Sequence, residues 1–218
     1  MRYTELRCKS NFSFLLGASH PHELIETAHR LGYSGLSLTD MGSVAGSVRA
    51  HTAAKDIGFS FIVGTEINLC DGPSLVIWPI NRSGYGRMCR LISRGRTRAE
   101  KGSYTLSWRD VYEFNEDLIA GVAAPKSGVV NRERFLSDLN QFREVFDDRA
   151  YLLCEAHRSV DDFSALEHFE KLSRETKLPL VATGNVHYHI AERMLVHDCV
   201  TAIRNGTTID RKSTRLNS

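Results

Sequence analysis

Gly35-Leu36-Ser37-Leu38-Thr39-Asp40 is a short apolar run that ends on a hydroxyl and a carboxylate. It reads as a buried strand whose carboxyl end carries polar chemistry. Upstream, Leu24, Ile25, Ala28 and Leu31 fall at i, i+1, i+4 and i+7, which is one face of a helix. Pro21 suits the first turn of that helix, Ser19 or His20 its cap, and Glu23 the positive end of its dipole. Further upstream, Thr4 to Leu6 is a first strand candidate. Strand, helix and strand thus follow one another by Asp40.

Downstream the alternation repeats. Phe59 to Val63, Leu75 to Trp78, Leu118 to Val122, Tyr151 to Cys154 and Leu180 to Thr183 read as strands. Phe135, Leu139, Phe142 and Phe146 mark one intervening helix, and Phe163, Leu166, Phe169 and Leu172 another. Pro179 stops the chain before the last strand. This alternation predicts an α/β fold of parallel βαβ units. About seven strands with six connections suit a barrel better than an open sheet. Glycine-rich nucleotide-binding turns of the Gly-x-Gly-x-x-Gly or Gly-x-x-x-x-Gly-Lys-Ser/Thr kind do not occur, which lowers the weight of a nucleotide-binding open sheet.

Composition sets the remaining bounds. The chain has 218 residues, 42% hydrophobic and 25% charged, enough for one large α/β domain with its own core. A net charge of +2 neither demands nor excludes nucleic acid. Cys8, Cys70, Cys89, Cys154 and Cys199 are odd in number and without Cys-x-x-Cys spacing, so they read as reduced, buried thiols of a cytoplasmic protein. No run approaches the about 18 apolar residues of a membrane span. Met1 to Arg7 is polar and unlike a secretory signal. Arg211 to Ser218 carries one large apolar residue, Leu216, and reads as a disordered or non-native tail after a domain spanning 1–210.

In a parallel barrel, chemistry collects at the carboxyl ends of strands. Here those ends carry Asp40, then Glu66, then Glu155 and His157, then Asn185 and His187. Carboxylates and imidazoles on several strand ends suit a metal-assisted phosphoesterase, in which divalent ions activate water and neutralise phosphate. Taken without a family, ordinary surface and loop polarity is the better account of the same residues.

Glu5-Leu6-Arg7-Cys8-Lys9-Ser10-Asn11-Phe12-Ser13-Phe14-Leu15, Gly17-Ala18-Ser19-His20-Pro21, Leu38-Thr39-Asp40-Met41-Gly42, Gly64-Thr65-Glu66 and Ala182-Thr183-Gly184-Asn185-Val186-His187-Tyr188 together resemble the PHP domain that opens bacterial polymerase III alpha subunits. The Ser-Asn-Phe-Ser-Phe-Leu and Gly-Ala-Ser-His-Pro variants resemble its error-prone, damage-tolerant branch. The resemblance runs from about Tyr3 to Asp210 and implies a distorted, TIM-like (βα)7 barrel. It also implies that a polymerase body follows in the same chain, bringing DNA, Mg2+ for nucleotidyl transfer and accessory translesion proteins as partners.

The departures from the family are as informative as the matches. An intact PHP site opens with His-x-His, and those positions hold Arg7 and Lys9. Met41 stands where the family has the His of Thr-Asp-His, and Asn185 where it has the Asp of Asp-Val-His. Asp40, Glu66, His187 and, less surely aligned, His157 remain as ligand-type residues. Arginine and lysine repel a cation but can pair with carboxylates. The expectation is therefore no catalytic residue and no metal in this chain, with Arg7 and Lys9 pairing with Asp40 and Glu66. The alternative is a working phosphoesterase or 3′–5′ exonuclease using Zn2+ or Mn2+.

Other features carry less weight. His20-x-His22 sits at a helix start and reads as surface, while His189 reads as facing the loop that follows it. Arg87, Arg90 and Arg94 share a helical face, and Arg96 and Arg98 follow. Such a stripe can meet DNA phosphates, or it can be a solvated face or a docking face for a polymerase body. Tyr85, Tyr104 and Trp108 lie close by and read as packing groups before stacking platforms.

Overall fold

In a computed structural model of the chain, residues 3–123, 132–156 and 162–209 are described. The 211–218 tail and His157 fall outside them. The chain forms two compact units, Met1–Val63 with Asn185–Ser218, and Gly64–Gly184.

The first unit begins with β1 (Thr4–Cys8), α1 (Pro21–Arg30), β2 (Gly35–Leu38), α2 (Ser47–Asp56) and β3 (Ser60–Val63). Its three strands are parallel in the order β1-β2-β3, as two helical crossovers require. Pro21 opens α1, and the His20 amide donates to Glu23 Oε2 at 2.8 Å. Leu24, Ile25 and Ala28 pack with Cys8, Leu36, Leu38, Ala50 and Ala54 in one apolar cluster. Leu31, expected on the same face, is exposed. The helix ends at Arg30, and the amides of Gly32 and Tyr33 turn back to the carbonyls of His29 and Ala28, carrying Leu31 outward.

The second unit contains β4 (Thr65–Asn68), β5 (Ser74–Pro79), α3 (Arg82–Thr97), α4 (Trp108–Phe114), β6 (Leu118–Ala123), α5 (Arg132–Phe146), β7 (Ala150–Glu155), α6 (Asp162–Thr176) and β8 (Leu180–Thr183). The sheet order is β4-β5-β6-β7-β8. The pairs β6–β7 and β7–β8 are parallel, and β5 runs antiparallel to both its neighbours, β4 and β6. The expectation of parallel strands throughout is corrected here. Leu69 to Pro73 is too short a connection to bring β5 back parallel to β4, since a parallel crossover needs about a dozen residues. The strand Thr65–Asn68 was not expected at all.

The helices of this unit separate two spacings. Phe135, Leu139, Phe142 and Phe146 on α5 step by four, three and four residues, and all are buried. Phe163, Leu166, Phe169 and Leu172 on α6 step by three, which walks round a helix of 3.6 residues per turn. Phe163 is 76% exposed and Leu166 is exposed too. The buried set is Ala165, Phe169, Leu172 and Thr176, again stepping four, three and four.

The chain then returns to complete the first unit with α7 (Met194–Arg204). Of the cysteines, Cys8 is buried as expected, whereas Cys70 is exposed. Among the described residues no helix is long and apolar enough to cross a membrane.

Candidate functional site

The first unit gathers most of the ligand-type and ligand-replacing positions. Lys9 follows β1 at 2% exposure and Asp40 follows β2 at 1%. The returning segment lies beside β1, with the Val186 amide donating to the Arg7 carbonyl at 2.9 Å and the Lys9 amide to the Val186 carbonyl at 2.8 Å. This parallel bridge of Cys8 with Val186 sets Asn185 and His187 at the end of β1.

Lys9 Nζ donates to Asn185 Oδ1 at 2.8 Å. His187 Nε2 lies 3.3 Å from the same oxygen, and its Nδ1 lies 3.2 Å from the Leu16 carbonyl. Because an ammonium only donates, Lys9 selects the oxygen end of the Asn185 amide. Asn185 itself adopts φ +48°, a left-handed conformation that asparagine tolerates better than most residues.

Asp40 is held by serines. Its Oδ1 accepts from the Ser10 amide at 2.8 Å and from Ser13 Oγ at 2.7 Å, and its Oδ2 accepts from Ser10 Oγ at 2.8 Å. Burial pushes the Asp40 carboxyl above its ordinary pKa, while these donors and, more weakly, the Lys9 charge pull it back. The Lys9 charge acts on Asp40, and its ammonium also donates to an amide oxygen. Met41 donates its backbone amide to Ser13 Oγ at 3.0 Å, tying this loop to the Asp40 cluster.

One acid went unnoticed in the sequence. Glu5 is buried on β1 and accepts from Tyr3 Oη at 2.8 Å and from the Arg7 amide at 2.9 Å. The register of β1 on β2 shifts between Glu5 and Cys8, and the carboxylate takes up the Arg7 amide at that bulge. Burial, with Glu5 close by, pushes the Tyr3 phenol well above its ordinary pKa. Arg7 is itself buried. The serine ligands Ser10 and Ser13 also escaped notice, because serine in a loop carries no distinctive signal.

The histidine pairs separate cleanly. His20 and His22 stack at the exposed start of α1, 5.6 Å between ring centres. His189 does not face the following loop; its Nδ1 lies 2.7 Å from Ser19 Oγ and 3.8 Å from Glu23. Serine and acid meet the same ring nitrogen, so the trio lacks the relay geometry of a nucleophilic triad.

The second unit holds Glu66, buried on β4 opposite Val76. It also holds the basic run, whose arginines are largely engaged within the unit. Arg87 pairs with Glu116 and Asp117. Arg94 meets Glu113 through two bonds of 2.7 Å and lies over the Phe114 ring. Arg96 lies over Tyr104, and Arg98 reaches Asp110 at 2.8 Å. Asp110 would be raised by its burial, but the Ser107 amide and hydroxyl and Arg98 outweigh that and hold it low. Arg90 is exposed, while Trp108 is buried.

A divalent ion is what strand ends of this type are built to hold, and the residues present do not fit one. In the first unit a buried ammonium occupies the Asn185 oxygen, and Asp40 is already served by three donors. Cationic side chains stand at Arg7 and Lys9. Among the described residues no group of three or more His, Cys, Asp or Glu is placed to hold a metal ion.

A family model for the PHP domain matches residues 5–173. An error-prone DNA polymerase of Rhodopirellula baltica is 48% identical over 99% of this chain, which covers 20% of that protein. The error-prone DNA polymerase of Dechloromonas aromatica is 43% identical over 95% of the chain, again 20% of that protein. The chain therefore spans about a fifth of the length of these curated relatives, and the match lies in their N-terminal part. Among solved structures, a candidate metal-dependent phosphoesterase of Bifidobacterium adolescentis superposes with a TM-score of 0.64 at 15% identity, over 92% of this chain and 96% of that one. An amidohydrolase of Chromobacterium violaceum superposes at 0.63 and 16% identity, over 85% and 87%. These likenesses establish the expected α/β, TIM-like fold class and nothing about activity.

Proposed function

This chain belongs to the PHP-domain family, and on that premise we propose that it is the N-terminal structural module of an error-prone DNA polymerase, without catalysis of its own. Homology to the N-terminal fifth of such polymerases supports the first half of the reading. The single observation behind the second half is the buried Lys9 ammonium on Asn185 Oδ1 beside His187. A metal at that position would face a fixed positive charge about 3 Å from a ligand oxygen, a repulsion of several kcal/mol even in a partly screened interior. The charge that a metal would supply to the strand ends is supplied by side chains, so the domain keeps its shape without loading an ion.

In the longer protein, a polymerase body would carry nucleotidyl transfer with Mg2+ and would bring DNA and accessory translesion proteins, in the cytoplasm. Arg94 and Arg98, engaged with acids of α4, and Arg87, engaged with acids of the turn that follows it, support packing within the unit more directly than a DNA contact.

Metal analysis of the purified protein tests the reading. The expected content of zinc and manganese is far below one ion per chain, with no hydrolysis of p-nitrophenyl phosphate or single-stranded DNA when manganese or zinc is added. Stoichiometric metal that disappears in Asp40→Ala or His187→Ala would overturn it in favour of a working phosphoesterase.

A further inference from the structure

Gly86, Arg90, Ser93, Arg94 and Thr97 fall at i, i+4, i+7, i+8 and i+11 on α3, so they share one face of the helix. The last four of them, with Glu113 and Phe114 of α4, line a pocket of about 450 Å³ within the second unit. Arg94 is fixed in place there. Its two terminal nitrogens donate to Glu113 at 2.7 Å, and its guanidinium carbon lies 4.9 Å from the centre of the Phe114 ring. Thr97 Oγ1 donates to the Arg94 carbonyl at 3.0 Å. Arg90 and Ser93 are exposed, and among the described residues neither side chain makes a hydrogen bond or an ion pair. Gly86 is exposed in the interior of the helix, where glycine costs stability relative to alanine. A Cβ there would meet nothing within 4 Å, so packing inside the unit does not call for a glycine. Glycine on an open helix face suits the close approach of a group from outside.

We infer that this pocket holds one nucleotide of a single-stranded nucleic acid. Charge sorts the roles of the two arginines. Arg94 is neutralised by Glu113 and braced by Phe114, so its planar guanidinium offers a base a flat surface to stack on. Arg90, one turn away and without an acid of its own, meets the adjoining phosphate together with the Ser93 hydroxyl. The sugar-phosphate backbone passes over Gly86. The occupant is a strand and not a free nucleotide because Arg90, Ser93, Thr97 and Glu113 are all exposed, which makes the pocket too shallow to surround a small ligand. It is single-stranded because the base faces of a duplex are covered by their stacked neighbours. The inference does not depend on the polymerase reading, which metal analysis tests separately.

Fluorescence anisotropy of the 218-residue chain with a labelled oligothymidylate of about twelve nucleotides tests it at low salt. An abasic strand of the same length should bind at least about fivefold more weakly, because it keeps the phosphates and lacks the stacking bases. Arg90→Ala should weaken the oligothymidylate at least about fivefold with an unchanged thermal midpoint, and Arg90→Lys should restore part of the loss. Arg143→Ala, which removes an exposed arginine from α5, should leave binding within about twofold of wild type. Absence of binding, equal binding of the abasic strand or of a duplex, or an equal loss in Arg143→Ala would each overturn the inference. Displacement of the strand by micromolar thymidine monophosphate would reassign the pocket to a free nucleotide and overturn it as well.

Discussion

Replacing Lys9 by methionine keeps the aliphatic stem and deletes the side-chain donor. Asn185 Oδ1 would then lose the 2.8 Å bond from the ammonium, and Asp40 would lose part of its compensating charge. The expected loss is about 1–3 kcal/mol, the usual consequence of stranding a buried acceptor. It should appear as a lower urea midpoint at unchanged slope. An equal or higher midpoint would mean that desolvating the ammonium costs as much as its hydrogen bond returns, the known hazard of buried charge. Asp40 makes a separate prediction about pH. Its folded-state pKa is raised, chiefly by burial, so as pH rises the unfolded chain gives up this proton first. Across the window from the ordinary carboxylate range up to the folded value, the native state binds more protons and stability falls. The contribution is fully present below that window and lost above it. On acidification from about pH 7 to about pH 4, wild type should therefore gain stability relative to Asp40→Asn. Parallel curves for the two proteins would contradict the assignment. At this scale the sequence was partly legible: Asp40, Asn185 and His187 declare themselves by type and place. Glu5 does not, because its role depends on a bulge that no pattern in Thr4–Cys8 announces.

Elements were read well where spacing and side-chain size agreed. On α5 a four-three-four rhythm of phenylalanines and leucine put all four of those residues inside. On α6 the eye follows a three-residue rhythm of large residues, and the helix instead buries Ala165 and Thr176 with Phe169 and Leu172. The pair Phe142→Ala and Phe163→Ala separates the two cases. The first should cost about 3–5 kcal/mol through transfer and cavity terms. The second should stay within about 0.5 kcal/mol. Comparable losses in thermal or urea unfolding would show that α6 turns its other face inward. Strand β4 escaped because Thr65–Asn68 contains one large apolar residue, Ile67, between polar neighbours. The turn that makes it a hairpin partner of β5 was nonetheless written in Asp71-Gly72, a dipeptide strongly associated with tight reversals. Reading that turn would have predicted the antiparallel pairing and spared the assumption of parallel strands throughout.

At the scale of the molecule, family membership was legible from five short motifs in order, and the fold class followed from it. What these motifs could not convey is that the buried Lys9 and the amide it donates to are far apart in the chain. Lys9 and Asn185 are 176 residues apart, and the bridge of Cys8 with Val186 covers the open side of β1. A ribosome adding about 5–20 residues per second needs roughly 9 to 35 s to close that gap. For that interval β1 is an unpaired sheet edge on a nascent chain, the situation in which strands recruit the wrong neighbours. A lysine and an arginine at its end make that edge self-repelling between two copies on adjacent ribosomes. Like charges at that edge disfavour its pairing with the same edge of another nascent chain.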